Sequence, residues 1–362
     1  MNIDIKKRKA LTWIVLIVIA VGIKIFSLSS HSIEEHYSNG IYQFTSRLQR
    51  QIFGWLPFSL GDIFYIFLAC WLIYISIKHL LLLLKGKRSF LKFQRRLLRL
   101  ALITLIFYIA ANILWGLNYD RLPVATSMNL QPVQYEKSTL LQLHQVLLNK
   151  VNESKIALLS RSGQVLSGED IYSRASNCYQ QAAEAYPFLN YSTPSLKSSL
   201  FGKFGNYLGF TGYYNPLTGE AQVNRTVPKF LLPYITLHEM AHQLGFAKEN
   251  EANFVAFLAA ANSSDTAFRY SAYLDLFTYA NRQLFLNDSS LARKEVKNLH
   301  PAVKKDLEEW REFNLAHKTF IEPAINWLYG KYLQANSQPQ GMKTYGAVTG
   351  MLISYYQKYG RL

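Results

Sequence analysis

Cysteine is almost missing from this chain: 362 residues contain two, Cys70 and Cys178. Cys70 falls inside an apolar run and Cys178 stands alone in the later, more polar part, so an intrachain disulfide is not expected to staple the fold. Acidic residues are also scarce, with 23 Asp and Glu against 39 Lys and Arg, a net charge of +16. That imbalance suggests nucleic acid, but no RNA- or DNA-binding motif accompanies it. Eleven of the basic residues cluster in two short segments, 6–9 and 85–99, beside apolar runs. They are read as topology signals, and no nucleic-acid partner is expected. No internal repeat and no low-complexity tract appears.

What the chain has in abundance is apolar residues, half of the total. Three runs account for the excess, over residues 11–29, 58–77 and 100–118, each near the ~20 residues that a ~30 Å hydrocarbon layer demands. Lys24 lies where its ammonium can snorkel to the interface, and Trp115 and Tyr119 are side chains that favour headgroup depth. A secretory signal peptide is the rival reading of the first run, with 27–29 as its cleavage site and Lys24 interrupting the approach to it. The second connection carries Lys85, Lys87, Arg88, Lys92, Arg95, Arg96 and Arg99 and no acid, and should therefore face the cytoplasm. The first connection, 31–57, balances Arg47 and Arg50 against Glu34 and Glu35 and should lie outside. Residues 1–119 are thus expected to form a membrane domain with a cytoplasmic amino terminus, and residues 120–362 a domain beyond the membrane.

That outer region reads as mostly helical. Broad apolar stripes predict helices over 135–151 and 169–186, and again at 268–284, 302–313, 316–334 and 346–359. Loops are expected at 131–133 and 338–341. Residues 201–228 differ: four glycines precede Tyr213-Tyr214-Asn215-Pro216, and Pro216 and Gly219 predict a turn between two short strands. Such a hairpin either packs plainly on its neighbours or lines a cleft in which its free edge holds an extended peptide.

The chemistry concentrates in Thr236-Leu-His-Glu-Met-Ala-His-Gln-Leu-Gly245. On a helix over 234–244, His238 and His242 leave one face a turn apart and can grip one ion, with Glu239 beside them. Zinc takes such ligands at about 2.0–2.2 Å and, in a catalytic site, keeps a position open for water. Two histidines under-hold the ion, so a third ligand is needed. A glycine stop at Gly245 and a second helix over 249–261 would bring back a carboxylate, Glu249 or alternatively Glu251. These two point to nearly opposite sides, so only one can bind. Asn253, at i+4 from Glu249, is placed to hydrogen-bond a ligand histidine. No apolar run of spanning length surrounds 229–246, so this helix is expected outside the bilayer.

Glu249-Asn-Glu-Ala-Asn253 resembles the Glu-x-x-Ala-Asp/Asn signature of gluzincin metallopeptidases, in which the first glutamate is the third ligand. The linker from His242 is far shorter than gluzincins usually have. It is nearer the metzincin spacing, but Lys248 stands where that family has its third histidine. More widely, residues 115–123, 212–220 and 238–254 resemble the bacterial membrane family catalogued as domain of unknown function 3810. Together these imply a mainly α fold, with three transmembrane helices followed by a mostly helical zincin-like extracytoplasmic domain carrying a small β-hairpin. They also imply a bacterial cytoplasmic membrane, a zinc cofactor and a peptide or protein substrate in the cell envelope. Glu239 would act as general base. Tyr213, Tyr214, Asn215, Tyr270 and Tyr345 are candidates to line the cleft, and Tyr270, Tyr273, Arg269, Tyr345 and His300 are candidates to stabilise an oxyanion.

Overall fold

The computed structural model describes residues 2–84, 90–131, 134–160, 168–335 and 345–362. Helices dominate it. The first part contains α1 (Asn2–Phe26), α2 (Tyr42–Phe53), α3 (Leu60–Leu84) and α4 (Phe90–Leu114). Within these, Lys7–Phe26, Leu60–Leu82 and Gln94–Leu114 are long and apolar enough to cross a membrane. Their side chains are mostly exposed, as expected for surfaces that lipid rather than protein would cover. Arg95, Arg96 and Arg99 lie exposed near the start of α4. Lys85, Lys87 and Arg88 fall outside the described residues, as does the side chain of Lys92, and so do positions 132–133 and 338–341.

The third apolar helix ends at Leu114, four residues short of the expected 118. A 3-10 turn, Gly116–Asp120, follows it. Trp115, Leu117, Asn118 and Tyr119 are buried there, the two aromatic side chains in a core shared with Tyr214 and Ala247, so these aromatic side chains serve packing as well as interface preference. The first connection also does more than join two helices. Ile33–Ile41 forms a π-helical stretch leading into α2, and Ile33, Tyr37 and Tyr42 share a core with Trp115, Leu117, Tyr119, Tyr214 and Ala247. Residues 33–50 thus pack against parts of the chain on both sides of the expected boundary at residue 119.

The chain continues with α5 (Lys137–Ser160), α6 (Gly168–Ala185), β1 (Leu196–Ser198), α7 (Gly202–Leu208), β2 (Gly212–Asn215) and β3 (Glu220–Val223). Then come α8 (Leu232–Gln243), α9 (Glu249–Ala261), α10 (Thr266–Asn287), α11 (Ser289–Val296), α12 (Pro301–Ala316), α13 (Glu322–Ala335) and α14 (Tyr345–Tyr359). The hairpin is present as β2 and β3, antiparallel with Tyr213 opposite Gln222. It belongs to a three-stranded sheet of order β1-β3-β2, in which β1 runs parallel to β3. Neither β1 nor α7 was legible, because three- and seven-residue elements are too short for a period to show. Helices α8 and α9 lie at the centre. Leu237, Met240, Ala241, Phe254 and Phe257 from them pack against Phe268 and Phe277 of α10 and Leu352 of α14.

One carboxylate ties the hairpin to the second apolar helix. Glu220, fully buried at the start of β3, accepts hydrogen bonds from the backbone N–H groups of Leu60 (3.0 Å) and Gly61 (2.8 Å) and from the hydroxyls of Ser59 and Thr218. Those N–H groups are orphans at the start of α3, and a carboxylate there also faces the positive end of the helix dipole. Asp62 extends the joint, accepting from Leu200 N (2.7 Å) and the Tyr213 hydroxyl (2.5 Å).

Candidate metal centre

Helix α8 opens with Pro233 in its first turn, where a missing N–H costs nothing. It ends at Gly245, whose φ of +86° suits glycine, with Gly245 N donating to His242 O and Phe246 N to Ala241 O. The C-terminal carbonyls also accept from side chains elsewhere in the chain. Tyr42 donates to His242 O and Gln243 O, Arg50 to Gln243 O, Trp115 Nε1 to His242 O and Arg121 to Leu244 O. Arg121 also pairs with Glu34 at 2.7 Å and stacks on Phe246. Two guanidinium cations thus sit at the negative end of the α8 dipole and fix its direction. Phe246 and Ala247 are buried, which turns the chain inward so that α9 starts at Glu249 beside the histidines.

Three donors converge there. His238 and His242 have ring centroids 4.8 Å apart, and the nearest Glu249 oxygens lie 3.2 Å from His238 Nε2 and 3.9 Å from His242 Nε2. Among the described residues, these three form the group whose ligand atoms all lie within 4.8 Å of one another. His242 Nδ1 lies 2.8 Å from Phe246 O, which can only accept, so Nδ1 carries the proton and Nε2 presents a lone pair. His238 Nδ1 lies 2.8 Å from Asn253 Oδ1, which orients its Nε2 in the same way. Each imidazole is therefore held from behind in the tautomer a metal requires.

The charges follow from this packing. Burial drives the His242 pKa down to about 4, and the charge on His238 adds to the effect, so His242 is neutral at pH 7. Burial also opposes charge on His238, but the hydrogen bond and the negative charge of Glu249 outweigh it and lift His238 to about 9. For Glu249 itself, burial is overcome by the same pairing and the carboxyl is held down at about 2. A site that gathers a proton between an imidazole and a carboxylate has the charge to attract a cation in its place.

Glu239 stands beside this cluster, 3 % exposed, with one carboxylate oxygen, Oε2, that no protein group hydrogen-bonds. Burial is the main reason its pKa is pushed up to about 8. Its other oxygen lies against Gly212 of β2, where any Cβ would overlap the carboxylate. The edge strand therefore passes directly over Glu239, and only glycine permits the approach. The neutral imidazole of His242, that of His238 once a cation displaces its proton, the Glu249 carboxylate and an orphaned buried carboxyl oxygen fit a zinc ion with room for a water. Glu251 is not part of the group. It lies buried on the far side of α9, near Lys248, Arg121 and the backbone of Val124, so its role as the alternative ligand is set aside.

A cavity of about 1220 Å³ contains His238, Glu239, His242, Glu249 and Asn253. Tyr213 and Tyr214 line it, as expected. Asn215 does not: its side chain accepts from Leu217 N and builds the hairpin turn. Tyr270 is buried in the core, donating to Asp306, which Lys155 also pairs. Tyr273 bonds the carbonyl of Leu362, and His300 caps α12 by accepting from Ala302 N. Arg269, like these, does not line the cavity. The Tyr345 side chain lies outside the described residues. The residue that sequence reasoning missed is Tyr329 of α13, whose hydroxyl donates to Glu249 Oε1 at 2.7 Å. Nothing local marks it, because its contact spans 80 residues. Asp275 and Tyr279 of α10 also face the cavity.

Asn253→Ala removes the acceptor behind His238 without touching a ligand atom. Loss of such a supporting partner typically weakens metal binding by about 10–100-fold, a change that competition against a chromogenic zinc chelator will measure.

No curated protein and no solved structure matches the chain. A family model described as protein of unknown function (DUF3810) matches residues 37–353, which take in α2 to α4, the hairpin and both helices of the candidate site. With the match covering most of its length, this chain belongs to that family.

Proposed function

We propose that the protein is a membrane-anchored zinc metallopeptidase that hydrolyses peptide bonds on the outer side of a bacterial cytoplasmic membrane. His238, His242 and Glu249 hold the metal, Asn253 and the Phe246 carbonyl orient the two imidazoles, and Glu239 is the general base. The observation that carries the reading is the orphaned, buried Glu239 oxygen beside three convergent donors. A structural zinc site closes four ligands around the ion, whereas here three donors meet next to an unpartnered acid and an open cavity. That contrast favours catalysis over an envelope scaffold with a metal kept for folding.

When bound, zinc lowers the pKa of a water and polarises the scissile carbonyl. Glu239 Oε2 takes the proton from the attacking water and passes it to the leaving amine. The free edge of β2 at Gly212 and Tyr214 holds the substrate backbone extended, since β2 pairs with β3 on its other side. Tyr329 keeps the Glu249 carboxylate oriented from outside. The basic residues at 6–9 and 85–99 support this membrane orientation, with the amino terminus in the cytoplasm and residue 120 onward beyond the membrane.

The test is hydrolysis of an unstructured protein by the full chain in detergent. Activity should vanish on treatment with a chelator and return with zinc; activity that survives complete metal removal would contradict the proposal.

A further inference from the structure

We infer that the site takes its substrate from the bilayer itself, as a peptide carried on a lipid chain whose hydrocarbon lies between α3 and α4. The inference rests on the metallopeptidase reading and names its substrate class.

The metal centre sits at the end of an apolar helix rather than far above it. Trp115, the first residue after α4, has its ring 6.0 Å from that of His242 and donates to the His242 carbonyl. Tryptophan prefers headgroup depth, which puts the ligand histidine one side chain away from the hydrocarbon boundary. The cavity does not close there. The same space that holds His238, Glu239 and Glu249 continues along Ala111, Phe107 and Thr104 of α4 and past Tyr65 of α3. Thr104 lies ten residues before Leu114, hence about 15 Å into the layer at 1.5 Å per residue, or half of a ~30 Å core. Among the described residues, α1 packs along α4, while α3 makes no comparable contact with either. The groove thus lies along α4 and meets α3 at Tyr65, and the proposed substrate enters between these two helices from the lipid.

Size and charge select the occupant. A transmembrane helix about 10 Å across and 15 Å long would take up about 1200 Å³, the whole of the cavity, leaving no room for a peptide at Glu239. An extended hydrocarbon chain needs only part of it. Lys24, exposed on the last turn of α1, lines the same cavity at headgroup depth. Its ammonium suits the ester, amide or phosphate oxygens by which a lipid is joined to a polar chain. The peptide portion then rises past Trp115 to the β2 edge.

The experiment uses the full chain in phosphatidylcholine vesicles and peptides of one sequence, either unmodified or palmitoylated at one terminus or the other. One acylated form should be hydrolysed at least about tenfold faster than the unmodified peptide, the scale set by a filled apolar pocket. Thr104→Trp, which fills the deep end of the groove, should bring that ratio towards one. Partition into the membrane alone would leave the ratio unchanged in this variant, and an unchanged ratio overturns the inference. A diazirine in the palmitoyl chain, photolysed on Glu239→Gln protein, should label α4 between 104 and 111, with excess acylated peptide competing and unmodified peptide not. Saturable labelling there with no hydrolysis of any peptide by the unsubstituted chain would sustain the lipid groove and refute the peptidase reading. Hydrolysis of acylated and unmodified peptides alike with no saturable labelling would do the reverse. Cleavage confined to a protein anchored by a transmembrane helix would also overturn the inference.

Discussion

Glu239→Gln is expected to leave about one zinc per chain in place and to lower kcat for peptide hydrolysis by about 10³-fold or more, the upper part of the range for a general acid-base group. The replacement keeps the shape of the side chain against Gly212 and keeps a polar group in the pocket, so packing gives no reason for a change. What it removes is the capacity to accept a proton. In the metal-free protein, burial pushes the Glu239 carboxyl up to about 8, so it is mostly protonated at neutral pH. A bound divalent cation works against that, because a nearby positive charge favours the carboxylate. The base is thus created together with the site it serves. Measuring kcat and zinc content on the same preparation separates the two effects, and undiminished turnover with bound zinc would remove Glu239 from the mechanism.

His238→Ala and His242→Ala have the other large effect, on the metal itself. Each removes one of three protein donors, and the loss in affinity should exceed the 10–100-fold typical of an outer supporting partner. Zinc should therefore be absent after gel filtration in chelator-free buffer. The two variants also differ in what they leave behind. Without His238, the Glu249 carboxylate loses the partner that holds it at about 2. Without His242, the His238–Glu249 pair survives as a proton-bridged contact. Thermal unfolding with and without zinc distinguishes a lost ligand from a lost fold: the unsubstituted protein should gain stability with zinc, as any ligand that binds only the native state confers, and neither variant should.

The parts of this molecule that were legible in the sequence are those with a long period or a steric signature. The three apolar helices show as long runs with few charges. Helix α9 is expected at 249–261 and is observed there, because Gly245 sets the stop before it and an apolar block follows. The hairpin was legible from Pro216 and Gly219. What stayed hidden depends on contacts distant in sequence. Glu34 and Arg50, read as balanced charges in a loop, bind Arg121 and the end of α8 respectively. Asn215 and Tyr270 carry residue types common in clefts, yet backbone turn formation claims one and an ion pair in the core claims the other. The choice between Glu249 and Glu251 turned on which side of α9 meets α8, a packing question that spacing alone leaves open.

That choice supplies the most direct test of the three-donor site. Zinc content should be measured side by side on the unsubstituted chain, Glu249→Ala and Glu251→Ala, purified identically without added chelator. The expected result is about one zinc per chain in the first and the last and little or none in Glu249→Ala. Zinc retained in full by Glu249→Ala, or lost from Glu251→Ala alone, would contradict a site built from His238, His242 and Glu249.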